Sequence, residues 1–208
     1  MSTPQLKELL EDRALVVPLS VEQYHRMIET GILESGQPIE LLDGFLVRKD
    51  RSATGANPMT VGPSHAWVID KLASSCAGLP KHGCYLRVQQ PITLPPDNEP
   101  EPDGAIVRGS PDEYRDRHPG PGDILCLFEV ADSSLQRDRV TKQRIYADAG
   151  IPLYVIVNVM DRVVEVHHGP LVESGRYGKL EPRHRGSSVQ IVLPDATIFE
   201  LPVDEILP

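Results

Sequence analysis

The stretch from Asp123 to Tyr154, DILCLFEVADSSLQRDRVTKQRIYADAGIPLY, constrains the fold of this chain more than any other. Ile124 to Phe128 are apolar without a break, and Val130 resumes the run after Glu129. A run this short and rich in strand-forming residues reads as a β-strand buried on both faces. Glu129 is then an anomaly, because a carboxylate at the end of a buried strand loses hydration worth several kcal/mol unless a cation, a metal or hydrogen-bond donors compensate. The next element supplies cations. After Asp132, Ser133 and Ser134, all helix-capping residue types, the segment from about Arg137 to Ala149 has helical spacing, with Gly150 and Pro152 as its stop. It carries Arg137, Arg139, Lys142 and Arg144, so a strand ending in a carboxylate feeds a basic helix.

The 208 residues fit one domain spanning 1–208, large enough to fold without a covalent or metal staple. Cys76, Cys84 and Cys126 are odd in number and lack C-x-x-C spacing, which reads as a reduced, intracellular protein without structural zinc. No stretch reaches the roughly 18 apolar residues of a membrane span and the N-terminus lacks a signal-peptide pattern, so the expectation is a soluble, cytoplasmic protein. The formal net charge of -9 disfavours a nucleic-acid partner unless the basic residues are concentrated locally.

Along the chain, Leu6, Leu9 and Leu10 have helical spacing and suit packing on the same domain or a contact with a partner subunit. Ser20 begins a capping-box pattern, and Tyr24, Met27 and Ile28 form the apolar face of the helix that follows. In IELLDGFLV, from Ile39 to Val47, Asp43-Gly44 is a two-residue turn signal, so a β-hairpin is predicted with Glu40 on its first strand. Arg48 to Pro63 reads as a polar surface loop, and a helix from Pro63 to about Cys76 places His65 in its first turn, a surface, capping or catalytic position. Tyr85 to Leu94 alternates, with Gln90 the polar member of the face bearing Leu86, Val88, Ile92 and Leu94. Asp103 then introduces a short strand, Gly104 to Val107. Leu153 to Val159 is a second apolar strand, pairing with Val163 to Val166 in a hairpin that ends near His167-His168. Adjacent strand residues face opposite ways, so that histidine pair is a poor metal site. From Gly169 onward short strands and turns are expected to cover an edge.

Asp103 heads one strand and Glu129 ends another, and two carboxylates converging from adjacent strands suit Mg²⁺, a hard cation that prefers oxygen ligands and retains waters. Such an ion lowers the pKa of a bound water and neutralises phosphoryl charge, and a nearby lysine stabilises developing charge. Lys142 is the candidate. It stands four residues after Asp138, a spacing equally suited to an exposed ion pair worth about 0.3–0.5 kcal/mol.

The ordered motifs ELLDG (from Glu40), SH-x-x-x-I (from Ser64), EPDGAIV (from Glu101), LFEVADSS (from Leu127), D-x-x-x-K-x-x-x-Y (from Asp138) and GIPLYVIV (from Gly150) resemble the Uma (Uma-two) family of restriction-endonuclease-like proteins over about residues 20–168. The resemblance implies an α/β (α+β) PD-(D/E)XK nuclease fold, a mixed β-sheet flanked by helices, with an N-terminal helix and hairpin. It makes Asp103 and Glu129 the two acids of the signature and the metal ligands. The signature's lysine would stand two residues after the second acid, where this chain has Ala131, and the family pattern moves that role to Lys142. Glu40, Gln90, His65 and Asp138 become supporting residues, and Arg137, Arg139 and Arg144 the nucleic-acid contacts. Ala131-Asp132 replaces an expected Leu-Ser, and YVIVN from Tyr154 to Asn158 stands where YWIVD is usual, and neither change removes a proposed ligand. The function implied is a Mg²⁺-dependent DNA endonuclease, with Mn²⁺ as a substitute. Since two-strand cutting pairs two active sites, a homodimer is expected, using the Leu6, Leu9 and Leu10 stripe. The competing readings are a catalytically silent binding or regulatory module on the same fold and a hydrolase of a small phosphorylated metabolite.

Overall fold

The computed structural model describes residues 16–34, 36–49, 62–131 and 134–208. The Leu6, Leu9 and Leu10 segment, most of the polar loop after Arg48, and the caps Asp132 and Ser133 lie outside these residues.

Helix α1, Val21–Glu29, starts at the expected capping box: Gln23 N–H donates to Ser20 Oγ at 3.2 Å and Ser20 N–H to Gln23 Oε1 at 2.9 Å. The hairpin follows as β1, Ile39–Leu42, and β2, Phe45–Arg48, paired antiparallel with Glu40 opposite Val47. Its turn needs two residues in the left-handed region, supplied by Asp43 at φ 53 and Gly44 at φ 75. Gly44 also packs so closely that a Cβ there would lie 2.3 Å from Pro18 Cβ. Helix α2, Pro63–Ser75, runs on into a 3₁₀ turn, Cys76–His82, which Gly83 ends at φ 72.

Six strands form the main sheet in the order β3-β4-β5-β6-β7-β8: Cys84–Val88, Gly104–Arg108, Ile124–Ala131, Leu153–Asn158, Val163–Leu171 and Arg176–Arg183. All neighbours are antiparallel except β5 and β6, which run parallel, so the segment from β5 to β6 must cross over. That crossover is helical: α3, Leu135–Arg137, a π-turn, Asp138–Lys142, and α4, Gln143–Asp148. Every residue of β5 is buried, because both faces of the sheet are covered. One face packs Ile106, Phe128, Val130, Val155 and Val164 against Val68 and Leu72 of α2 and the hairpin of β9, Ser188–Val192, and β10, Ile198–Pro202. The chain closes on that face with α5, Val203–Ile206. The other face packs Ala105, Val107, Leu127, Tyr154 and Ile156 against Ile145 and Tyr146 of α4.

Two expectations change. The strand from Tyr85 ends at Val88, because Gln89 turns into the left-handed region at φ 48, so the alternation through Leu94 is only apparent. Ile92 and Leu94 are still buried, but from a loop in which Ile92 N–H bonds Pro100 O and Leu94 pairs with Asn98. The region after Gly169 also does more than cover an edge. Strand β7 continues to Leu171 and β8 joins the main sheet, while β9 and β10 contribute Val189, Ile191 and Leu201 to the core.

Candidate active site

Strand pairing brings the two signature acids together. Ala105 lies opposite Leu127 and Gly104 opposite Phe128, so one step further along the antiparallel ladder sets Asp103 beside Glu129. Side chains alternate across a strand, and Ala105 and Leu127 both belong to the cluster packed under Tyr146, so Asp103 and Glu129 share that face. The hairpin adds Glu40. Segment 97–101 hydrogen-bonds along β1, with Glu99 N–H to Leu41 O at 2.8 Å, and Glu101 N–H donates to Glu40 Oε1 at 2.9 Å.

The π-turn brings in the helix. In a regular α-helix residues at i, i+4 and i+8 drift by about 40° per step. The wider turn at Asp138–Lys142 takes up that drift, so Asp138, Lys142 and Tyr146 are all buried on one side. Lys142, only 3% exposed, donates to Glu129 Oε1 at 2.8 Å and lies 3.2 Å from Glu40 Oε1. Tyr146 donates its hydroxyl to the same Glu129 Oε1 at 2.8 Å. Asp138 is held by the Ser134 hydroxyl through Oδ2 and makes no ion pair with Lys142 among the described residues. The exposed Asp138–Lys142 pair allowed by the spacing is therefore not what the fold builds.

Asp103 accepts from Val130 N–H through Oδ2 at 2.8 Å, and its Oδ1 lies 3.0 Å from His65 Nε2. Burial opposes its ionisation, but the His65 contact and the Val130 hydrogen bond outweigh burial and lower its pKa. Glu40, 1% exposed, is also lowered: Lys142, Lys49, the Glu101 N–H and Arg137 together overcome its burial. Glu129 goes the other way, pushed up to about 8 by burial, with Asp138, Asp103 and Glu40 adding to the rise and Lys142 opposing it. Burial also raises Asp138. Lys142 is raised, since Glu129, Glu40 and Asp138 outweigh the burial that alone would lower it. Lys142 thus pairs with two carboxylates, and burial first, with the negative charge of Asp138, Asp103 and Glu40 added to it, keeps a proton on Glu129.

The remaining predicted residues separate. His65 reaches the site from the first turn of α2. Gln90 is exposed beyond the end of β3, and it is Gln89 whose amide approaches Asp103 Oδ1, at 3.4 Å. Arg139 forks onto Glu165 at 2.6 and 3.0 Å, and Arg144 pairs with Asp43 and Asp148. Arg137 alone of the three makes no ion pair or hydrogen bond among the described residues, and its buried Nε has no partner. Besides Gln89, two residues outside the predicted set join the site. Lys49, buried at the end of β2, pairs with Glu101 and acts on Glu40; no motif marks it. Tyr146 closes the D-x-x-x-K-x-x-x-Y motif, four residues after Lys142 and compatible with the same helix face, but the motif assigns no role to it.

A family model described as "Putative restriction endonuclease", Uma2, matches residues 21–204. The chain belongs to the Uma2 family. The structure is also similar to the crystal structure of a putative nuclease belonging to DUF820 from Anabaena variabilis ATCC 29413, with a TM-score of 0.65 at 13% identity over 91% of this chain and 97% of that one. At that identity the likeness shows the fold, a mixed six-stranded sheet flanked by helices. No curated protein matches the chain.

The donors of this Uma2 site suit a hard cation. They are carboxylate oxygens, and two of them, Glu40 Oε2 and Asp138 Oδ1, are buried without a hydrogen-bond partner. Among the described residues no three or more His, Cys, Asp or Glu side chains converge as a finished cage.

Proposed function

We propose that this Uma2 chain is a Mg²⁺-dependent endonuclease hydrolysing DNA phosphodiester bonds, with Mn²⁺ as a working substitute. The observation that carries this reading is the burial of Lys142 between Glu129 and Glu40, on the sheet face that Asp103 shares. Asp103 and Glu129 would hold the ion, which when bound supplies an acidified water and neutralises phosphoryl charge. His65 and Val130 N–H keep Asp103 ionised and oriented for that task. Lys142 keeps its proton, and at 3% exposure its charge is poorly screened, so it acts on negative charge developing in the transition state. Arg137, the helix arginine with no ion pair among the described residues, would be the first to meet a backbone phosphate; Arg139 and Arg144 would first have to leave their ion pairs.

The test is cleavage of plasmid and single-stranded DNA by the purified chain in titrations of Mg²⁺ and Mn²⁺. Asp103→Asn should weaken metal binding and lower cleavage by about 10²-fold or more. Metal-independent cleavage, or an active Asp103→Asn variant, would overturn the assignment. A parent that cuts nothing would instead favour the silent module on the same fold, which the net charge of -9 and the paired Arg139 and Arg144 support. A homodimer is part of the same proposal, since cutting both strands is simplest with two sites about a two-fold axis. Light scattering should then give twice the 23.0 kDa chain mass, and 23.0 kDa at all concentrations would exclude it.

A further inference from the structure

Lys142 Nζ and Tyr146 Oη both donate to Glu129 Oε1, each at 2.8 Å. Glu129 Oε2 has no hydrogen-bond partner among the described residues. The two oxygens of one carboxylate therefore stand in different environments. Glu40 repeats the pattern: Oε1 receives the Glu101 N–H and faces Lys142, while Oε2 is buried and unpartnered. Tyr146 is fully buried, with its ring edge-on to Tyr154 at 5.0 Å, so its hydroxyl cannot turn to solvent and stays committed to Oε1.

We infer that Tyr146 is a positioning residue that, with Lys142, fastens Glu129 by Oε1 and so reserves Oε2 as the atom that binds the divalent cation. The inference rests on the metal-dependent reading above and adds to it which oxygen is used and what holds it there. Hydrogen bonds to a metal-binding carboxylate fix its orientation, and their loss typically costs about 10- to 100-fold in metal affinity or activity. Tyr154 provides the control. It lies in the same aromatic cluster and is fully buried, but its hydroxyl donates to the backbone oxygen of Asp138 at 3.1 Å and not to Glu129.

The experiment measures Mn²⁺ affinity by calorimetry and electron paramagnetic resonance in the full chain, in Tyr146→Phe and in Tyr154→Phe, with thermal unfolding of each in EDTA. Tyr146→Phe should bind Mn²⁺ about 10- to 100-fold more weakly than the parent, and Tyr154→Phe within about twofold of it. Equal affinity in the parent and Tyr146→Phe, or equal losses in both variants, would return Tyr146 to a purely structural role while leaving the metal reading intact. A parent that binds no Mn²⁺ would remove the metal reading and this inference with it. A crystal structure of the parent with Mn²⁺ tests the same point without a variant: the ion should lie on Oε2 with both donors still on Oε1, and an ion on Oε1 would overturn the assignment.

Discussion

Lys142→Met is expected to destabilise the protein by about 3–5 kcal/mol in the absence of divalent ions, measured by chemical denaturation in EDTA. The methionine keeps much of the stem but removes the charge that faces Glu129 at 2.8 Å and Glu40 at 3.2 Å, two carboxylates that barely reach water. Removing one partner of a buried ion pair leaves an uncompensated charge, which costs far more than the pair contributes net. An exposed Asp138–Lys142 pair would be worth only about 0.3–0.5 kcal/mol, so the two arrangements differ by nearly an order of magnitude in the expected result. Mg²⁺ should restore part of the lost stability, because an ion bound by the folded state alone shifts the equilibrium toward it. Its affinity should be unchanged or higher. Cleavage should nevertheless stay about 10²-fold or more below the parent, since the ammonium acts on the transition state and not on ion binding. A variant as stable and as active as the parent would sink the role assigned to Lys142.

In EDTA the thermal midpoint of the parent is expected to fall as pH rises from about 4.5 to about 8, and Glu129→Gln should flatten that fall. Glu129 holds its proton in the folded state up to about pH 8, because of burial and the neighbouring carboxylates, against an ordinary value of 4.5. Between those two values the folded chain binds more protons than the unfolded one. The contribution of this group to stability is therefore complete below about 4.5, shrinks as pH rises, and is lost above about 8. Glutamine cannot titrate, so the variant lacks this slope. Parallel slopes in parent and variant would mean that another group carries the dependence. Adding Mg²⁺ should oppose the trend, because a carboxylate must lose its proton to bind metal and protection by the ion then grows with pH.

How much of this was readable before folding depends on the range of the interaction. The capping box at Ser20, the Asp43-Gly44 hairpin, the buried strand at Ile124–Ala131 and the helix after it follow from local patterns, since capping, turn geometry and side-chain periodicity act over a few residues. The same patterns put Glu40 and Glu129 on strands and Asp103 at the head of one, and the ordered motifs carried the family. They did not show that Gln89 would turn left-handed and approach Asp103, leaving Gln90, expected as a supporting residue, exposed. Nor could they choose the partners of the charged side chains. Helical spacing allows Lys142 to pair with Asp138, and only the π-turn with the sheet beneath it sends the ammonium to Glu129 and Glu40. Arg139 meets Glu165, Arg144 meets Asp43 and Lys49 meets Glu101, partners 26, 101 and 52 positions apart in the chain. Short-range geometry and burial pattern set the elements, their order and the acids they carry. Which charges meet is set by packing, because a buried charge is paired by whatever the packed sheet, helix and hairpin bring within a few ångströms of it, regardless of separation along the chain.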